Sequence, residues 1–237
     1  MPNLIFSFIS ISIFAFVHLI AEKTTRIGFH AKSKFLSMGN GVAISYIFID
    51  LLPKLAKNDV LFKNISKDFF PYIEHHAYIL SLIGFLLFYS IDRAQGVIFN
   101  RSLYYKLSLG SYILFNFLVG YAVADKNNPE VQPLILFTIA MALHYFMNDY
   151  SLTEAHGMEY RKYGKRFLIL SLFLGWLIGI LTQIPEAGVA LMSAFIGGGV
   201  IMNVTRHELS HANPNNLGIF LFAAFTYTVI LLSLAAG

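Results

Sequence analysis

The chain has 237 residues, of which 57% are hydrophobic and 13% charged, and its mean hydropathy is +0.63. Soluble domains carry about a quarter of their residues as charged side chains, so this composition excludes an ordinary water-soluble globule and points to an integral membrane protein. The net charge of +4 does not indicate nucleic acid as a partner, because Lys and Arg sit between apolar runs and form no single patch. Cysteine is absent, which leaves imidazole, carboxylate and amide oxygen to hold any metal.

Backbone groups in lipid must be satisfied within helices or a closed barrel, and apolar windows of this length predict helices. The expected fold is all-α: one polytopic membrane bundle over 1–237, of about eight spans. They lie near 4–21, 35–52, 76–92, 105–124, 132–150, 166–184, 187–206 and 216–235. The lipid bilayer is the expected surrounding, and a homo-oligomer is compatible with the sequence.

In the first span no Lys or Arg precedes the apolar run, while Lys23 and Arg26 follow it. That order argues against a cleavable signal peptide and for an N-terminus outside. His18, near the end of this span, reads as a packing or interfacial residue. The second span carries Asp50 within GVAISYIFIDLLPKL. Glu74-His75-His76 precedes the third span and Asp92 closes it. In the fourth, Asn116 sits near mid-depth on a stripe with Tyr112 and Gly120, where the glycine allows a neighbouring helix to approach closely.

The fifth span, QPLILFTIAMALHYFMND, turns polar part-way along. As a helix it places His144 about 18 Å from Gln132, close to the middle of a hydrocarbon core of roughly 30 Å. Asn148 lies one turn beyond on the same face, and Asp149 follows. Ionisable side chains at such depth are costly and normally face a bundle interior or a pathway. Met141 and Met147 read as packing residues rather than metal ligands.

With the N-terminus outside, the connections at 22–34, 93–104, 151–165 and 207–215 are cytoplasmic. Most of the 17 basic residues fall in or beside them, including Arg161, Lys162, Lys165 and Arg166. Lys54, Lys57, Lys63, Lys67 and Lys126 remain outside. Both termini outside is therefore the expected orientation. Size and the lack of a targeting segment give a bacterial cytoplasmic membrane as the expected location.

Spans two and seven echo one another. Gly39-Asn40-Gly41-Val42 aligns with Gly197-Gly198-Gly199-Val200, and at the same offset Asp50-Leu51 aligns with Glu208-Leu209. These spans run in opposite directions in the expected topology, as in the inverted repeats of transporters. The plainer reading is that glycine-rich packing faces look alike.

Two motifs carry candidate chemistry. His144, Asn148 and Asn116 form a candidate midplane cation site, and a plain interhelical hydrogen bond is its bland counterpart. Asp92, Asp149, His156, His207, Glu208 and His211 cluster towards the cytoplasmic ends, where they suit a cation relay or an ordinary interfacial collar. His207-Glu208-Leu209-Ser210-His211 also matches H-E-x-x-H, in which two His on one helix face hold zinc and Glu activates water. No Asp, Glu or His follows it to supply a third ligand.

The eight-span layout resembles the ZIP (Zrt/Irt-like) family of divalent-metal transporters. FNFLVGYAV at 115–123 is similar to that family's fourth-span H-N-x-x-D-G element, and HYFMND at 144–149 to its fifth-span H-E-x-P-H-E element. IDLLPKL resembles the second-span stretch ending in H-L-L-P, and IGFLLFYSID and SAFIGGGVIMNVTRHEL fit the third and seventh spans. Phe115 and Val119 stand where the family has His and Asp. Tyr145, Met147 and Asn148 replace Glu, Pro and the second His, Asp149 stands for the last Glu, and Asp50 for the second-span His.

The resemblance implies facilitated entry of a divalent cation of the zinc, iron or manganese class, by alternating access, with no cofactor required. It casts His144, Asn148 and Asn116 as the midplane site, Asp50 as the outer carboxylate, and Asp149 and Glu208 as inner relay groups. Two readings compete: an intramembrane zinc metallohydrolase using His207, Glu208 and His211, and a transport-inactive scaffold. The expectation is that the protein is not an enzyme.

Overall fold

A computed structural model describes residues 2–21, 29–66, 76–94, 100–124, 131–182, 186–210 and 216–235. All secondary structure among them is helical. The helices are α1 (Pro2–Ile20), α2 (Phe29–Tyr46), α3 (Leu52–Ser66), α4 (His76–Arg93), α5 (Arg101–Val123), α6 (Val131–Glu159), α7 (Lys165–Leu181), α8 (Glu186–Ser210) and α9 (Leu217–Ala235). Two π-helical turns, Ile47–Leu51 and Tyr160–Gly164, follow α2 and α6.

Among the described residues each expected span lies mainly on helix, with 183–184 of the sixth outside them. Four helical stretches are long and apolar enough to cross a bilayer: Ser33–Lys57, Ser102–Val123, Leu134–Leu181 and Gly188–Thr205. Shorter apolar helices cover Leu4–Ile20 and Leu217–Ser233. Along α9, Phe222 and Phe225 are more than two-thirds exposed, and on α1 Ile5 and Phe16 are more than half exposed. Side chains of this size on view are costly in water and ordinary in lipid, as an integral membrane protein requires.

The backbone differs from expectation in more than one connection: α3 makes Leu52–Ser66 helical between the expected second and third spans. Residues 151–165 read as a charged loop, yet α6 runs on to Glu159 and passes into the π-helical turn. Leu152, His156, Tyr160, Gly164 and Leu168 are all buried, one every four residues. Such an unbroken fourfold spacing holds a single buried edge better on a widened helix than at 3.6 residues per turn. Gly157, at φ 53° and ψ −122°, makes the kink in this segment, in a region open essentially to glycine alone.

The chain divides into two compact units. The first comprises Met1–Asp50, Pro129–Leu170 and Asn203–Gly237. In it α2 packs on α9 and α6, and α1 packs on α6. A Cβ at Gly41 would lie 2.4 Å from the Phe220 carbonyl oxygen, so the missing side chain lets α2 and α9 touch backbone to backbone. Hydroxyls and an amide knit the same pairs. Ser45 donates to the Ala224 carbonyl at 2.8 Å, Thr138 to Ser10 Oγ at 2.8 Å, and Asn216 to Ser33 Oγ at 2.5 Å.

The second unit comprises Leu51–Asn128 and Ser171–Met202. Its α3 packs on α4 and α4 on α5, and Leu55 of α3, Ala77 of α4 and Ala190 and Ala194 of α8 share one apolar cluster. Asp59 accepts the Ala77 N–H at 3.3 Å, satisfying a free donor at the start of α4. Asn100 caps α5 by accepting the Leu103 N–H at 2.8 Å. Gly198 seats α8 on α4, since its Cβ would fall 1.8 Å from the Ser81 carbonyl oxygen. Gly120 does the same for α5 and α7 against the Leu172 carbonyl oxygen, as its place in the stripe predicts.

Candidate functional site

The polar residues of α6 project from a helix whose apolar neighbours fix their direction. Tyr145 packs edge-on against Phe14 of α1 at 5.2 Å between ring centroids, and Phe146 against Phe35 of α2 at 4.7 Å. Held between these contacts, His144, Asn148 and Asp149 are each at most 2% exposed. Burial of three adjacent polar groups in an apolar bundle is costly unless each finds a partner.

Asn148 Nδ2 donates to His144 Nε2 at 3.0 Å, one helical turn away as the spacing predicts. Asn148 Oδ1 is buried and has no hydrogen-bond partner among the described residues. Turning the amide would give up the Nδ2 bond to the imidazole and bring the oxygen to that side in its place. His144 and Asn148 together then present one nitrogen and one amide oxygen, a weak pair suited to a cation that must also leave.

Asp149 is tied to two other elements. His18 Nδ1 of α1, 131 residues away in sequence, donates to Asp149 Oδ2 at 2.7 Å. The Tyr160 hydroxyl, first residue of the π-helical turn, donates to Asp149 Oδ1. His18 also lies 4.8 Å from the Tyr145 ring, and all four side chains are nearly or wholly buried. A carboxylate behind a histidine fixes the ring's tautomer and raises the basicity of its other nitrogen, the arrangement that commonly supports metal-ligating histidines. Among the described residues, no group of three or more His, Asp or Glu forms a cluster able to hold a metal ion.

The other expected residues lie on other stretches of the chain. Asp50 is half-buried within the first π-helical turn, where it hydrogen-bonds Tyr46 and lies within electrostatic reach of Tyr227. Tyr227 itself donates to the Leu136 carbonyl at 2.8 Å. Asn116 is 1% exposed and donates to the Tyr112 carbonyl of its own helix at 2.9 Å. It belongs to the second unit, whereas His144 belongs to the first. Asp92 lies on α4 of the second unit, and His156 is buried on α6 of the first. His207 and Glu208 lie on the last turn of α8 with side chains outside the described set, and His211 lies outside the described residues.

Sequence reasoning read His18 as a packing or interfacial residue without its Asp149 partner, and missed Tyr160. The signal for His18 was present, because it is the sole ionisable side chain between Pro2 and Ile20, and such a group inside a span calls for a partner. Tyr160 gave no comparable signal, since it sits among charged residues that read as a loop. A scan against models of protein families matches none of them, and a search of curated proteins returns no match.

Proposed function

We propose that this protein is a membrane facilitator of divalent cations, similar in plan to the ZIP transporters, with His144 and Asn148 of α6 as its ligand face. The observation that carries the reading is the burial of His144, Asn148 and Asp149 together on one apolar helix, backed by His18. A bundle built only for packing gains little from three adjacent polar groups at this depth, whereas a pathway needs them. The roles are specific. His144 supplies the nitrogen ligand, Asn148 an amide oxygen, and Asp149 holds His18 in place instead of standing free as a relay group. Asp50, at a helix irregularity of a kind often found at functional sites, is the outer carboxylate.

Oxygen and a single imidazole bind a divalent ion weakly, which favours passage over retention. Uptake of radioactive zinc, iron and manganese into vesicles tests this. His144→Ala is expected to lower flux at least tenfold, about 1.4 kcal/mol or more in the barrier. Asn148→His places two imidazoles four residues apart on one face and is expected to tighten cobalt or zinc binding roughly tenfold while slowing release. Undiminished flux in the alanine variant removes the proposed site.

A further inference from the structure

We infer that the turn joining α6 to α7 is a binding site for the headgroup of an anionic phospholipid. Four basic residues, Arg161, Lys162, Lys165 and Arg166, fall within six positions, with Glu159 the acidic residue nearest in sequence. Lys162 and Arg166 are exposed and Arg161 is half-buried. None of these three enters an ion pair among the described residues. Arg161 Nε is buried and has no hydrogen-bond partner there. A buried guanidinium N–H left unmatched is costly, and phosphate oxygen is the acceptor its planar fork fits best.

The surroundings say where the phosphate comes from. Immediately beyond the cluster, α7 exposes Phe167, Leu170, Leu174 and Leu177, spaced three or four apart along one face. Large apolar side chains on that face suit acyl chains, and Lys162 and Arg166 stand at its end, at headgroup level. A soluble phosphate compound would have no use for the apolar stripe; a phospholipid uses both parts. The platform is fixed in advance. Tyr160 anchors the turn to Asp149, Gly164 and Leu168 are buried beneath it, and Lys162 lies 5.1 Å from the Tyr163 ring centroid. Fixing the cations before the lipid arrives reduces the entropy lost on binding. The inference requires only that the chain sits in a membrane, so it stands apart from the transport proposal.

The test is native mass spectrometry of the full-length protein titrated with phosphatidylglycerol, against phosphatidylcholine. Arg161→Gln, Lys162→Gln and Arg166→Gln combined are expected to weaken the first phosphatidylglycerol about a hundredfold, from roughly fivefold per removed charge. Lys162→Gln with Arg166→Gln, both at exposed positions, is expected to weaken it about 25-fold on the same scale and serves if the triple variant does not fold. Lys54→Gln, Lys57→Gln and Lys106→Gln combined remove equal charge elsewhere and are expected to leave binding unchanged. Inorganic phosphate in millimolar excess is expected not to displace the lipid. Equal loss in the two triple variants, full retention in the cluster variants, or displacement by phosphate alone would each overturn the site.

Discussion

At the scale of single residues, the decisive pair is His18 and Asp149. Both are about 1% exposed, so water does not replace the hydrogen bond between them when one is removed. Removing one partner leaves a buried polar atom of the other short of a hydrogen bond, which typically costs about 1–3 kcal/mol, with Tyr160 still donating to Asp149 when His18 is lost. His18→Ala and Asp149→Ala are each expected to lower thermal stability in detergent sharply, while the double variant loses far less than the sum. A double-mutant cycle measured by thermal unfolding reads this directly, with a coupling of about 1–3 kcal/mol expected. Additive losses would show that the two side chains contribute independently. His144 and Asn148 were legible in sequence because they lie four apart on a single helix. The pairing of His18 with Asp149 was not, because only the fold brings residues 131 positions apart within 2.7 Å.

At the scale of elements, hydropathy located the helices well, because each apolar run is bounded by charged or turn residues. It failed at Leu52–Ser66, which is helical, and at 151–165, where basic side chains mask a buried edge of Leu152, His156 and Tyr160. Hydropathy averages over all faces of a helix, whereas burial follows one face, so a helix charged on its other sides resembles a loop. Glycine sorts the element-scale predictions. Gly157→Ala forces a Cβ onto a backbone at φ 53° and ψ −122° and is expected to cost about 1–3 kcal/mol. Gly110 lies exposed within α5 with nothing within 4 Å of an added Cβ. There Gly110→Ala is expected to stabilise by up to about 1 kcal/mol, through helix propensity alone. Thermal unfolding of the two variants side by side checks the pair, and a neutral Gly157→Ala would mean the kink carries no strain.

At the scale of the whole molecule, composition alone made the membrane class plain, and four helices of adequate length and apolarity agree with it. The orientation rests on the placement of Lys and Arg, a rule about insertion that leaves no trace in helix geometry. It has a clean test because the chain has no cysteine, so any introduced thiol reports from one position. Lys57 and Lys162 are both exposed and belong to opposite sides in the expected topology. In right-side-out vesicles, Lys57→Cys is expected to react with a membrane-impermeant maleimide, and Lys162→Cys only after the membrane is opened. The reverse pattern would invert the orientation and turn the proposed entry route into an exit route. Labelling of both without permeabilisation would place an even number of crossings between residues 57 and 162, against the three that the expected spans supply.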